Sequence, residues 1–162
     1  MALGQALKAA LAGTGAVLIV NDDAEAARAI GADGVHVGQE DMAPADVRAL
    51  VGPDMALGLS VESVDAARAV DPSVVDHVGA GPVFATPTKR DHKTPIGFDG
   101  LAKVIAAAPV PAVAIGGVKA EHAREVRAAG ASGMAVVSAI CGQPDPEAAA
   151  RAVSLAWAEA AQ

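Results

Sequence analysis

"AVLIVNDDAEAARAIGADGVHVGQED" (residues 16–41) holds the pattern from which the rest of the chain can be read. Residues 16–23 open as an unbroken Ala/Val/Leu/Ile run, as a strand buried on both faces does, and end in Asn21-Asp22-Asp23. Residues 24–32 are Ala-rich with charges at helical spacing, and Gly31 provides a stop. Residues 34–41 are a second Val-rich strand, again closing on polar groups, Gln39-Glu40-Asp41. Strand, helix, strand within so few residues predicts a parallel pair with a crossover helix.

Moving outward, the same unit recurs about every 20 to 25 residues. Helices are predicted over 44–52, 64–71, 99–109, 120–131 and 146–161, and strands over 56–63, 77–89, 111–119 and 133–141. One further helix, at about 3–12, stands in front. The pattern is six strand–helix pairs of an α/β protein, and two architectures share it: an open doubly wound sheet and a barrel. The polar groups decide between them. They follow every strand: Asn21 to Asp23, Gln39 to Asp41, Ser60, Thr86 to Lys89, Gly116-Gly117 and Ser138. A barrel gathers such ends on one face, whereas the outer ends of an open sheet stand too far apart to cooperate. The expected fold is therefore a (β/α)8 TIM-type barrel forming one domain over 1–162. It is expected to be incomplete. An eight-fold barrel takes about 200 residues or more, so the first strand–helix pair and the second strand are expected to be missing. Two open sheet edges would follow, and with them a route to self-association.

Composition narrows the function. The chain has 162 residues, is 52% hydrophobic and carries a net charge of -7. Aromatics make up 2% of it, which with the acidic balance argues against a nucleic-acid surface. No apolar run has the roughly 18 residues of a membrane helix. Cys141 is the single cysteine, so a reducing cytoplasm is the expected setting.

Three loops carry chemistry. Asp22 and Asp41 end successive strands about 4.8 Å apart, close enough to share a hard cation such as magnesium. The competing reading is that Asp22 and Asp23 cap the following helix and Asp41 sits in a turn. In "GPVFATPTKRDHKTPIG" (81–97), Thr86, Thr88 and Lys89 offer hydroxyls, amides and a charge to a phosphate, while Arg90, His92 and Lys93 read as a solvated face. "AIGGV" (114–118) and "VVSAI" (136–140) follow the last two strands, where barrels of this kind bind phosphate. His36 reads as a packed or hydrogen-bonded strand residue, and Trp157 and Met134 as packing residues. Ser138 lacks evident triad partners.

"IVNDD", "GADGVHVGQED", "GLSVES", "VGAGPVFATPTK", "AIGGV" and "VVSAI", in this order from about residue 10 to 155, resemble the thiamine phosphate synthase family. The resemblance implies a magnesium-dependent transferase built as a (β/α)8 barrel. It joins hydroxymethylpyrimidine diphosphate to thiazole phosphate, giving thiamine phosphate and pyrophosphate. By the same resemblance Asn21, Ser60 and Lys89 meet the pyrimidine diphosphate, with Lys89 and Ser60 in the catalytic roles. Asp22 and Asp41 bind magnesium, and Thr86, Pro87, Thr88, Gly117, Val137 and Ser138 hold the thiazole phosphate. The family's Gln-x-Arg-x-Lys segment on its second strand has no counterpart here, which leaves a truncated homologue that binds thiazole phosphate without catalysis as an alternative. The thiazole tautomerase paralogues are a second alternative. They carry a His where this chain has Glu62 and lack the Thr-Pro-Thr-Lys loop.

Overall fold

The computed structural model describes residues 1–86, 88 and 93–161. It contains the predicted alternation of strands and helices. The leading helix α1 (Ala2–Leu11) is followed by β1 (Ile19–Asn21), α2 (Ala24–Ile30), β2 (Gly34–Val37), α3 (Pro44–Val51) and β3 (Ala56–Val61). Then come α4 (Val64–Arg68), β4 (His77–Ala80), α5 (Gly97–Ala107) and β5 (Ala112–Ile115). A 3-10 turn (Ala120–His122), α6 (Ala123–Ala128), β6 (Gly133–Ala135) and α7 (Pro146–Glu159) complete the order. The chain divides into two compact units. One comprises residues 1–60 with 71–77, the other 61–70 with 78–162.

In the first unit β1 pairs in parallel with β2 and β2 with β3, so that Asn21 lies opposite His36 and His36 opposite Gly58. Val35, Val37, Leu57 and Leu59 are buried between the sheet and the helices, with Ala24 and Ala27 of α2 and Val47 of α3 closing over them. Alanines one turn apart let a helix approach a sheet closely, since their side chains carry almost no rotamer cost. Asp23 caps α2 by accepting a hydrogen bond from Ala26 N at 2.8 Å, and Gly31, at φ 60°, ends it in the left-handed conformation that glycine tolerates. Lys8 of α1 donates to the carbonyls of Ile30 and Gly31 at that end, where the helix dipole favours a cation.

Arg48 is the unit's main polar tie. It lies on α3 and is largely buried. Its guanidinium donates to the carbonyls of Gly52 (2.8 Å), Met55 (2.6 Å) and Val74 (2.9 Å) and to Asp76 Oδ2 (2.7 Å). Asp76 Oδ2 also accepts from Leu57 N at 2.7 Å. One planar fork thus ties the end of α3 to the start of β3 and to the segment before His77. Burial alone would raise the Asp76 carboxyl, but the Leu57 amide and the Arg48 guanidinium together hold it below its ordinary value.

In the second unit β4 pairs in parallel with β5 and β5 with β6. Val78, Ala80, Ala112 and Ala114 are buried from the strands, and Leu101, Val104, Ala123 and Val126 from the helices. Ser63 caps α4, and Asp145 caps α7 with Pro146 in its first turn. The Arg127 guanidinium lies 4.1 Å over the Trp157 ring, so Trp157 does serve packing.

The strands end earlier than the apolar runs suggest. The run predicted as a strand over 133–141 is extended only to Ala135. Val137 then opens a turn in which its carbonyl accepts from Ile140 N (3.0 Å) and Cys141 N (2.7 Å). Apolar residues continue, but the backbone bonds locally instead of along a ladder. Among the described residues no helix is long and apolar enough to cross a membrane.

Loss of the Arg48 tie has a definite expected cost. Asp76→Ala removes two hydrogen bonds, one of them charged, and strands the guanidinium. It should lower unfolding stability by about 2 kcal/mol, read from urea denaturation, and an exposed carboxylate such as Asp65→Ala should change it by less than about 0.5 kcal/mol.

Candidate functional site

The first unit presents its polar groups at the carboxyl ends of β1, β2 and β3. Asn21 is the last residue of β1, and Asp22 follows it with φ 65°, the one non-glycine residue with positive φ among those described. Asp tolerates this conformation better than most residues, yet it carries strain of order 1 kcal/mol that a plain turn has no need of. The backbone around it is pinned: Asp22 N donates to His36 O at 2.8 Å and Ala24 N to Asp22 O at 3.1 Å. The helix cap is Asp23, not Asp22. The capping reading therefore holds for the second of the two aspartates and not for the first.

Asp41 lies just beyond the end of β2. Its Oδ2 accepts from Gly38 N at 2.7 Å, which folds the Gly38–Asp41 segment back on itself. The turn reading of Asp41 is thus correct. It also fixes where the carboxylate stands, on the loop beside the strand that bears Asp22. Two carboxylates on adjacent strand ends make an oxygen donor set of the kind a hard divalent cation takes, with water and phosphate oxygens completing it. Among the described residues no group of three or more His, Cys, Asp or Glu side chains is arranged to hold a metal ion.

Ser60, near the end of β3, is held from two sides. His36 Nε2 lies 3.0 Å from its Oγ, and Gln39 Nε2 donates to its carbonyl at 2.7 Å. His36 is thus hydrogen-bonded, and its ring stands 5.6 Å from that of His77. Gly58 lies beside both imidazoles: a Cβ there would come 2.2 Å from His36 Nδ1 and 2.4 Å from His77 Nε2. Burial, and then the neighbouring His77 charge, push the His36 pKa down to about 4. Burial lowers His77 as well, with Asp76 opposing. Neither Gly58 nor His77 stands out in the sequence, because nothing local marks a glycine that clears room for two rings on other strands.

In the second unit the groups follow β4, β5 and β6. Val83 N donates to Ile115 O at 3.0 Å and Phe84 N to Gly116 O at 2.9 Å, so residues 81–86 lie along the Gly116-Gly117 turn. Both glycines have positive φ, 91° and 67°. A Cβ on Gly117 would meet Ala85 O and Phe84 Cβ at 2.8 Å, so this close approach needs glycine on both counts. Phe84, Phe98 and His122 pack together beneath the loop, with Phe84 4.8 Å from the His122 ring and 5.1 Å from Phe98. Thr86 Oγ1 accepts from Thr88 N at 3.2 Å, a local turn that orders the two hydroxyl residues. Lys93, read as part of a solvated face, lies 4.0 Å from Glu62. Pro87, Lys89, Arg90 and His92 lie outside the described residues. Val137 and Ser138 are exposed at the start of the turn after β6. Ser138 also lines a cleft of about 310 Å³ with Lys119, Glu121 and Gln143.

The chain matches the family described as thiamine monophosphate synthase over residues 1–140. It is 59% identical over 149 residues to the thiamine-phosphate synthase of Solidesulfovibrio magneticus, covering 92% of this chain and 71% of that protein. It is 50% identical over 139 residues to the thiamine biosynthesis bifunctional protein ThiM/ThiE of Symbiobacterium thermophilum, covering 86% of this chain and 29% of that one. The solved structure of thiamine phosphate pyrophosphorylase from Pyrococcus furiosus superposes with a TM-score of 0.88 at 33% identity, covering 99% of this chain and 77% of that chain. The chain therefore spans from 29% to 71% of the length of these curated relatives.

The depressed imidazole has a measurable consequence. A histidine whose folded pKa lies below its unfolded value binds fewer protons when folded, so stability falls as pH drops from about 6.5 towards 4. His36 should cost roughly 3 kcal/mol by pH 4, with His77 acting in the same direction. His36→Gln should lose visibly less stability over that range in thermal melts, and an unchanged acid sensitivity would count against a buried neutral imidazole.

Proposed function

The chain belongs to the thiamine monophosphate synthase family, and we propose that it is the greater part of a transferase that couples hydroxymethylpyrimidine diphosphate to thiazole phosphate. The observation that carries the reading is a strained Asp22 after β1 and a turn-held Asp41 in the loop after the neighbouring β2, with Asn21 at the end of β1 and a doubly held Ser60 on β3.

Asn21 and Ser60 would bind the pyrimidine diphosphate, and Lys89 would meet its charge as the bond breaks. Asp22 and Asp41 would hold magnesium, which when bound supplies positive charge to the departing pyrophosphate. Thr86 to Thr88, Gly117, Val137 and Ser138 would hold the thiazole phosphate, largely through backbone amides and hydroxyls. In the reaction the bond from the pyrimidine methylene carbon to the diphosphate oxygen breaks, and pyrophosphate leaves with the electron pair. The thiazole nitrogen then donates its lone pair to that carbon. No proton transfer is needed for the coupling. The residues contribute orientation and charge neutralisation.

Asn substitutions test this cleanly. Asn at 41 can still accept from Gly38 N, and Asn at 22 tolerates the same positive φ, so each removes charge while sparing the backbone. Asp22→Asn and Asp41→Asn should each reduce magnesium-dependent thiamine phosphate formation by 100-fold or more, on the order of 3 kcal/mol of transition-state stabilisation, with melting temperatures unchanged. Wild-type turnover at low magnesium in either variant would remove that residue from the metal site.

The six strands would be the third to eighth of a (β/α)8 barrel, a single domain over 1–162 with its first strand–helix pair and second strand unrepresented. Val17 and Ile19 beside and on β1, and Leu3 and Leu7 on α1, are exposed apolar side chains that such a segment would cover. In paired thermal melts and coupling assays, a chain extended by a family-type strand, helix and second strand should melt higher and turn over faster than the 162-residue chain. Equal stability and equal turnover of the two would show that nothing is missing.

A further inference from the structure

We infer that His36 is a positioning residue that aims the Ser60 hydroxyl at the pyrimidine diphosphate; this rests on the role proposed above for Ser60. The contact is His36 Nε2 to Ser60 Oγ at 3.0 Å. Its origin is in the register. His36 of β2 lies opposite Gly58 of β3, and Ser60, two residues further on, is on the same face of that strand. The imidazole can lean along the sheet towards Ser60 because position 58 has no side chain. A Cβ there would lie 2.2 Å from His36 Nδ1. His77 borders the same space, its ring 5.6 Å from that of His36.

Three features separate positioning from packing. Val35 and Val37, the neighbours of His36 along β2, are fully buried and point to the opposite face, so His36 lies on the face it shares with Gly58 and Ser60. A part-buried imidazole is costlier there unless its nitrogens are bonded, and the bond it makes is to a residue of the proposed site. Ser60 is also held at its carbonyl, by Gln39. A serine hydroxyl otherwise rotates among three staggered wells with its proton unconstrained. With the hydroxyl held by His36 and the backbone by Gln39, Ser60 meets substrate in one orientation, and the ordering cost is met on folding and not on binding.

The test is a double-mutant cycle read by calorimetric titration of hydroxymethylpyrimidine diphosphate with magnesium into wild type, Ser60→Ala, His36→Phe and the double variant, each checked by thermal melting. His36→Phe should weaken binding about tenfold, the loss of one hydrogen bond. The double variant should bind no more weakly than Ser60→Ala alone, since His36 acts through Ser60. His36→Gln, whose amide reaches the position of Nε2, should stay within about threefold of wild type, a rescue that a space-filling role would not produce. If His36→Phe does not fold, His36→Asn replaces it. Its amide is too short to reach Ser60, and affinity equal to wild type in that variant overturns the inference. Additive losses in the cycle overturn it as well. If Ser60→Ala weakens binding and His36→Phe does not, the positioning role falls and the functional reading stands. If wild type itself does not bind the diphosphate, the role of Ser60 fails, and the role of His36 with it.

Discussion

Parallel pairing is the constraint on which the site depends. When β1, β2 and β3 run the same way, every crossover helix must carry the chain back to the same starting side. The polar residues that close each strand are then delivered together. Asn21, Asp22, Asp41 and Ser60 come from three separate stretches of chain, and no local interaction would assemble them. The ladder does so, and it is anchored at the opposite ends of the strands. There Arg48 and Asp76 tie α3, the start of β3 and the approach to β4 into one hydrogen-bonded knot. The hydrogen-bonded ends of the strands and the ends that bear the candidate site residues are thereby separated.

The residues proposed for the two substrates fall in different units of the chain. Those proposed for the pyrimidine diphosphate and magnesium, Lys89 apart, lie in the first, and those for the thiazole phosphate in the second. On the proposed roles, each unit would meet its anion differently. The first is acidic at its strand ends, so it would recruit a cation through Asp22 and Asp41 and let that cation meet the phosphates. The second would use glycine turns and hydroxyls, with backbone amides as the donors. A chain of net charge -7 can bind two highly charged anions only by such local arrangements, because its overall field repels them.

Glycine acts at both places through absence. Gly58 makes room for two imidazoles, and Gly117 lets the segment after β4 approach within van der Waals distance of the turn after β5. The two differ in kind. Gly117 needs both the positive φ and the space, whereas Gly58 has ordinary strand geometry and needs the space alone. Strain is used sparingly: Asp22 is the one described non-glycine residue in the left-handed region, and it stands at the proposed metal site.

Much of this was determined by the sequence. Alternating apolar runs and Ala-rich helices specify parallel strands, because hydrophobic periodicity and helix stops are local properties of the chain. The candidate polar residues are legible for the same reason, since each closes an apolar run or lies in the loop after it. Tertiary structure alone decided the rest. Apolar side chains continue past Ala135, so no sequence signal shows that the backbone leaves its ladder there and turns at Val137. Asp22 and Asp23 are chemically identical in sequence, and only the fold makes one a helix cap and holds the other at positive φ. The grip of His36 on Ser60 depends on residues 24 positions apart and on an empty Cβ between strands. Such contacts are set by register, and register is fixed by the packing of the whole sheet, not by the residues that meet across it.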